Sequence, residues 1–512
     1  MDALVEMRGI TKVFPGITAN DNINLQLRKG EIHALLGENG AGKSTLMSVL
    51  FGMYQPEAGS IFMRGKPVRI NGPNDATRLG IGMVHQHFML VHNFTVLENI
   101  ILGVEDAQNG LLEMKRARKK VTEISAKYKL TIDPDARISD ITVGMQQRVE
   151  ILKMLYRENE VLIFDEPTAV LTPQEITELM KIMRGLVAEG KSILFITHKL
   201  NEIKAVADRC TVLRKGKCIG TVEVADATPE TLSEMMVGRK VSLQVEKPPV
   251  EKGKVIFDVK NLTVKNHATG KSVVNNISFA VREGEIVCVA GIEGNGQSEL
   301  IHAITGLAGA ESGVMVLDGD DFSRQGIRHR GLAGMAHIPE DRLRHGLVLD
   351  YDLASNLVLQ DYFEPRFQRN GFIKKGAVTE YAEKLIHKYD IRSGQGTRTI
   401  TRSMSGGNQQ KTIVARELER EPKLLVAVQP TRGLDVGAIE YIHAQLIKAR
   451  GEGKAVLLVS LELDEVLNVS DRILVIFEGR IVAEVDPAVV TYQELGLYMA
   501  GSNPAKEAGE GA

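Results

Sequence analysis

Two constellations in this chain have the residue types and spacing for chemistry on phosphates. The first is Gly37-Glu38-Asn39-Gly40-Ala41-Gly42-Lys43-Ser44-Thr45, which satisfies G-x-x-x-x-G-K-[ST]. Backbone N–H groups of such a loop wrap phosphate oxygens, and a helix starting after it adds positive potential. Lys43 would then hold the β and γ phosphates and Ser44 a Mg²⁺ ion, where the bland alternative is a glycine turn. The second is Val161-Leu162-Ile163-Phe164-Asp165-Glu166-Pro167-Thr168, an apolar strand ending in two carboxylates. Alone, such a pair also serves to cap a helix. Beside a phosphate loop, Asp165 is placed to organise the Mg²⁺ shell, and Glu166 to orient and deprotonate an attacking water. His198, at the end of the next strand, has two readings: a polar sensor near the γ-phosphate, or a satisfied structural histidine.

Holding these groups together requires an α/β layered sheet, and the chain has that pattern, short apolar runs alternating with helix-period segments. Ile32 to Leu36 is a strand feeding the glycine loop. Thr172, Pro173 and Glu175 supply an N-cap, a first-turn proline and a capping-box glutamate, predicting a helix that ends near Gly190. A strand from Ser192 to Ile196 follows. Ligands of such sheets gather at the carboxyl ends of strands, where Gly37, Asp165 and His198 each fall.

The glycine loop returns 254 residues later, without its lysine, as Gly291-Ile292-Glu293-Gly294-Asn295-Gly296-Gln297-Ser298-Glu299. Ala207 to Leu213 is echoed by Ser470 to Ile476, now 263 positions on, so the second copy has gained nine residues between its loop and residue 407. The expected organisation is a first domain over 1–240, a linker over 241–254 containing Lys247-Pro248-Pro249, a second domain over 255–500, and a disordered polar tail over 501–512.

The 512 residues suffice for two large domains with full cores. With 63 basic against 65 acidic residues, bulk electrostatic binding of nucleic acid or anionic lipid is disfavoured, and the run Lys115 to Lys120 reads as a solvated helix face. Cys210, Cys218 and Cys288 form no CxxC pair, which fits buried thiols in a reducing compartment, and His85, His87 and His92 lack an ordered ligand spacing. The N-terminus has no basic leader and no stretch approaches the roughly 18 to 20 apolar residues that span a bilayer. A soluble, cytoplasmic protein is the expectation.

The ordered set of Phe14, Gly37 to Thr45, Gln86, Ile141-Thr142-Val143-Gly144-Met145-Gln146-Gln147, Asp165-Glu166 and His198 resembles the ABC ATPase domain over nearly the whole first half. The resemblance implies two tandem P-loop NTPase domains, each with a RecA-like core and a helical subdomain. It further implies that Phe14 stacks on adenine and that Gln86 belongs to the Mg²⁺ site and links it to a transmembrane partner. In that family a signature, usually Leu-Ser-Gly-Gly-Gln, closes on the ATP of the opposite domain. The first signature, Ile141 to Met145, is degraded.

Against the same pattern the second half shows opposite losses. Gln297 replaces the lysine, Val428-Gln429 stands where Asp-Glu would be, Leu461 takes the histidine position and Asn266 falls near the place of Phe14. Yet Met404-Ser405-Gly406-Gly407-Asn408-Gln409-Gln410 is close to the signature, and Asp435 is the aspartate that the first half replaces with Thr172. In head-to-tail pairing, one site combines Lys43, Ser44, Gln86, Asp165, Glu166 and His198 with Ser405, Gly406, Gly407 and Asp435. The other is left with Gln297, Val428, Gln429 and Leu461 facing Ile141 to Met145. Loss of a general base alone costs about 10² to 10⁴ in rate, so this site is expected not to turn over. Because Gly291, Gly294, Gly296 and Ser298 remain, binding without turnover and a purely structural role both stay open.

The arrangement resembles the ATPase subunits of bacterial importers for ribose-type sugars and nucleosides. Pro339-Glu340-Asp341-Arg342 is similar to a Glu-Asp-Arg segment of that group, and the run Gln429 to Asp435 is more similar to its nucleoside branch. This implies ATP and Mg²⁺ as cofactors, integral-membrane permease subunits as partners and an extracytoplasmic solute-binding protein acting indirectly. It also implies no nucleic acid partner and a peripheral seat on the cytoplasmic face of the cell membrane. Two alternatives are a soluble tandem protein acting on ribosomes or RNA, which usually carries a long charged linker, and a nucleotide-gated scaffold without catalysis.

Overall fold

The computed structural model describes residues 3–84, 88–105, 107–108, 111–128, 130–168, 171–239, 246–266 and 270–502. Two compact units divide the chain, Met1–Val241 and Ser242–Ala512.

In the first unit the strands Ile32–Leu36, Val161–Asp165 and Ser192–Thr197 are buried along their whole length. Both faces are covered, which is why they read as continuous apolar runs rather than as alternation. They are the centre of a six-stranded sheet ordered Lys217–Glu223, Arg209–Arg214, Ile32–Leu36, Ser192–Thr197, Val161–Asp165, Ile81–Val84. All neighbours are parallel except the Lys217–Glu223 edge. Register decides the chemistry: Thr197 lies opposite Leu36 and Ile196 opposite Asp165, so loop, carboxylates and histidine leave the sheet at one edge. An antiparallel four-stranded sheet led by Ala3–Phe14 and Ile17–Arg28 shares a core with the helix Lys43–Leu50. Met7, Ile10, Ile23, Leu46, Met47 and Leu50 meet there, each fully buried side chain contributing about 1.5 to 3 kcal/mol.

The helix predicted from Thr172 runs Pro173–Ala188, with the capping box formed: Thr172 Oγ1 accepts from Glu175 N at 3.2 Å, and the Glu175 carboxylate from Thr172 N at 2.9 Å. Gly190, at φ 88°, turns the chain into the strand, which runs one residue past the expected Ile196.

The second unit repeats the order as Arg480–Val485, Arg472–Phe477, Ile286–Ala290, Ala455–Ser460, Leu424–Val428, Met335–Ile338. The nine added residues are not one insertion. Ile338 ends its strand 254 positions after Val84. Asn356, which bonds Val348 N and O as Asn99 bonds Val91, stands 257 after its counterpart, so three residues enter near the π-helical turn Arg342–Gly346. The hairpin of Gln368–Arg369 and Phe372–Ile373 stands 261 after that of Ala107–Gln108 and Leu111–Leu112, adding four more. Ser405 precedes its helix 263 after Thr142, and the last two enter after Lys388. None lies in the six-stranded sheet.

The linker expected at 241–254 is fastened to the second unit at several of its described residues. Lys247 reaches Ser470 O, Arg450 Nη1 donates to Pro248 O at 2.7 Å, and Gly253 N to Glu283 O at 2.9 Å. Of the expected tail, 503–512 lies outside the described residues, while Ser502 N still bonds Leu497 O at 3.0 Å. Among the described residues, no helix is long and apolar enough to cross a membrane and no three His, Cys, Asp or Glu side chains converge as a metal cluster. Cys210 and Cys288 are buried and unbridged, burial pushing the Cys210 thiol up to about 12.

Candidate nucleotide site

The loop after Leu36 is fixed by what it cannot hold. Gly42, at φ 96°, ends it, and a Cβ there would lie 2.2 Å from Ala19 O, so only glycine fits. Gly37 and Ala41 are buried, Asn39 and Gly40 are exposed, and Ala41 N bonds Glu38 O at 3.1 Å. Lys43 and Thr45 open the helix; Lys43 Nζ donates to Gly37 O at 2.7 Å and Glu38 O at 3.0 Å. Burial pulls the Lys43 ammonium below its ordinary range, against the charges of Glu166, Asp165 and Glu38.

Across the loop, Ser44 Oγ donates to Asp165 Oδ1 at 3.1 Å. A hydroxyl and a carboxylate side by side are the hard oxygen donors that Mg²⁺ takes, so the pair fits that ion. Burial, aided by the Glu166 charge and opposed by the Ser44 bond and Lys43, pushes Asp165 up to about 6. Its neighbour goes the other way. Burial would raise Glu166, yet the hydrogen bond and charge of His198, with Lys43 and Lys199, hold it below the usual carboxylate range. Two adjacent carboxyls with separated affinities for protons are a common basis for divided roles.

Glu166 sits at φ 46°, a left-handed conformation that costs a non-glycine residue on the order of 1 to 3 kcal/mol. Its amide bonds Ile196 O at 3.0 Å, which turns the side chain toward His198, whose Nδ1 is 3.2 Å from Glu166 Oε1. A carboxylate facing that nitrogen favours the tautomer that can donate to it.

Phe14, at the end of its strand, is half-buried edge-on to Tyr54, with ring centroids 5.3 Å apart. Lys12 Nζ lies 5.4 Å from the Phe14 ring. Sequence reasoning missed both neighbours, although Lys12 shares a strand face with Phe14 by the period of two. Gln86 lies outside the described residues.

The second loop answers itself. Gln297 Nε2 donates to Ile292 O at 2.8 Å and its Oε1 accepts from Asn295 N at 3.1 Å, so the amide bonds one loop carbonyl and one loop N–H where Lys43 bonds two carbonyls. Gln429 keeps the backbone of Glu166, at φ 43° with its amide on Val459 O at 2.7 Å. Val428 stands where Asp165 does at the strand end. Asn266 lies three residues past Thr263, as Phe14 lies three past Thr11, the two threonines being matched by register.

The signature turns differ as well. In the second unit Ser405 precedes the helix Gly406–Glu419 and its Oγ accepts from Asn408 Nδ2 at 2.9 Å. Asp435 caps Val436–Gly451 through Ala438 N at 2.7 Å, and its Oδ2 would be 3.5 Å from a Cβ on Gly407. In the first unit Thr142 caps Val143–Tyr156, but a Cβ on Gly144 would lie 2.0 Å from Glu175 Oε1. Glu175 therefore has a second position beyond helix capping, which the repeat offset signals: Ala438 stands at its place in the second unit.

A family profile described as ABC transporter matches residues 20–169 and 274–432. The chain is 56% identical over 510 residues to the "Guanosine import ATP-binding protein NupO" of Bacillus subtilis, covering all of this chain and 99% of that one. It is 54% identical over 502 residues to the "Nucleoside import ATP-binding protein NupA" of Lactococcus lactis, covering 98% and 99%. A "Putative ribose/galactose/methyl galactoside import ATP-binding protein" of Ralstonia nicotianae is 40% identical over 489 residues, covering 95% and 92%. Both glycine loops and both strand ends lie inside the matched segments, and the chain belongs to the ABC transporter family as a tandem pair of its P-loop ATPase domains.

Proposed function

We propose that this chain is the ATP-hydrolysing subunit of an importer at the cytoplasmic face of the cell membrane, that nucleosides are the solutes, and that only the first unit's loop serves turnover. The observation that carries this reading is the convergence of Lys43, Ser44, Asp165, Glu166 and His198 at one sheet edge, against Gln297, Val428 and Gln429 at the other. Whole-length similarity to relatives named for guanosine and nucleoside import supports the solute class, ahead of the ribose-type sugars named for more distant ones.

In this mechanism the loop amides and Lys43 hold the phosphates, and Phe14 stacks on the adenine. Ser44 and Asp165, with Gln86, hold Mg²⁺, which supplies neutralising charge when bound. Glu166, kept ionised by His198, takes the proton of the attacking water. In head-to-tail pairing, Ser405 with the Gly406 and Gly407 amides completes the γ-phosphate shell, and Asp435 borders it. ATP closes the two halves, hydrolysis reopens them, and membrane permeases convert the motion into import. Solute choice then resides in those permeases and an extracytoplasmic binding protein.

Phosphate release tests the one-site reading. Glu166→Gln is expected to bind ATP while turnover falls about 10² to 10⁴, and Gln429→Ala to stay within about twofold of wild type. Equal losses in both variants defeat it. Uptake of labelled nucleoside against labelled ribose, with the permeases present, decides the solute.

A further inference from the structure

The Glu340-Asp341-Arg342 segment has no part in the mechanism above, yet it is built into the second unit at three places. Glu340 stands two residues past the edge strand Met335–Ile338, the chain position that Gln86 holds past Ile81–Val84. Its Oε1 accepts from Gln429 Nε2 at 2.8 Å and from Arg432 Nη1 at 2.5 Å. Acid and amide have thus changed places between the halves: Gln86 and Glu166 in the first, Glu340 and Gln429 in the second. A glutamate at 429 would face a second carboxylate at hydrogen-bond distance, and like charges so close cannot both ionise.

Asp341 caps the next turn, its Oδ1 accepting from Leu343 N and Arg344 N, both at 3.0 Å. The π-helical turn Arg342–Gly346 follows, a form often found at functional sites. It sends Arg342 back across the unit. Nη1 donates to Arg432 O at 2.9 Å. Nη2 would be 2.8 Å from a Cβ on Gly406 and 3.8 Å from one on Gly433, so the guanidinium lies on both glycines. Nε is buried and has no hydrogen-bond partner among the described residues. One planar cation therefore touches the loop after the Leu424–Val428 strand, the glycine turn that leads to Asp435, and the first residue of the signature helix.

We propose that Glu340, Asp341 and Arg342 form a clamp in which Arg342 is a positioning residue, fixing Ser405 to Gly407 against Gly433 and Asp435. Glu340 anchors the clamp to the strand end vacated by the catalytic carboxylate, and Asp341 sets the turn that aims the guanidinium. The amides offered to a γ-phosphate are then ordered before nucleotide arrives, and a side chain at Gly406 would have to displace the Arg342 guanidinium. The consequence for turnover, though not the clamp itself, rests on the one-site reading above.

Hydrogen exchange of the Gly406, Gly407 and Asn408 amides in the full chain, without nucleotide, tests the clamp directly. Arg342→Ala is expected to speed that exchange about tenfold while leaving the sheet core unchanged, and Arg342→Lys to speed it less. Unchanged exchange in Arg342→Ala overturns the proposal. In ATP turnover, Arg342→Ala is expected to lower kcat about tenfold with KM within about twofold, and Arg342→Lys to recover part of the loss. A wild-type chain without turnover defeats the proposed function and leaves exchange to decide the clamp. An active wild type matched by an equally active Arg342→Ala defeats the clamp. Should Arg342→Ala fail to fold, Glu340→Gln takes its place in the exchange measurement, with about a threefold effect expected and no effect overturning the clamp.

Discussion

The two signature turns share a backbone and differ in the charged groups set against it. At Gly144 a Cβ would run into the Glu175 carboxylate, whereas the matching Gly407 meets only Ala438 and Asp435, and Gly406 lies beneath the Arg342 guanidinium. Each turn opens a helix of 14 residues, whose first amides carry a partial positive charge of about half a unit. Against the first turn stands the Glu175 carboxylate; against the second stand the Asp435 carboxylate and the Arg342 guanidinium, and the guanidinium offsets the repulsion a carboxylate exerts on an incoming phosphate. Much the same holds at the strand ends, where Glu166 and Gln429 share a left-handed backbone, at φ 46° and 43°, and differ in the group it presents. The halves have diverged in side-chain chemistry while keeping the strained geometry that would aim it.

The largest effect that would break this comparison concerns the loops. Lys43→Ala is expected to lower phosphate release by at least about 10², and Gln297→Ala to leave it within about twofold. A comparable fall in both would mean that the second loop takes part in turnover. Next is stability at the transposed pair. Gln429→Glu, facing Glu340, is expected to cost about 1 to 3 kcal/mol in denaturant unfolding, and Glu340→Gln in the same chain to restore most of it. Additive losses would show that the two positions are not coupled. The smallest effect sharpens the signature contrast. Glu175→Ala removes half of a capping box and is expected to cost about 0.5 to 1 kcal/mol, with turnover unchanged on the proposed reading that assigns the first signature to no working site. A change in turnover would reverse that assignment.

What the sequence disclosed was local. The glycine loop, the apolar strands and the Thr172–Glu175 capping box depend on residues within one turn or one strand, and each formed at its expected place. The pairing of Asp165 with Ser44, and of Glu166 with His198, depends on the order and register of the parallel strands, which the apolar patterns leave open. What stayed hidden depends on distance along the chain. Arg342 meets Gly406 because a π-helical turn bends it back, and no spacing rule announces that turn. Glu175 could be read as a cap but not as a neighbour of Gly144, since the two meet only once the helices pack. The nine added residues, which the offsets confined between the loop and residue 407, give no hint in the sequence of their division among three places.

That division reaches past chemistry. A membrane partner built of two identical copies has twofold symmetry and offers two equivalent docking faces. The six-stranded sheets of this chain match in strand order, but the residues added near Arg342–Gly346, ahead of the Gln368–Ile373 hairpin and after Lys388 make the periphery of the second unit differ from that of the first. Two such faces cannot be exchanged for one another, so a partner that grips both must either differ between its own halves or bear a mismatch in one of two orientations. The added residues make the two units distinguishable to any partner that binds both.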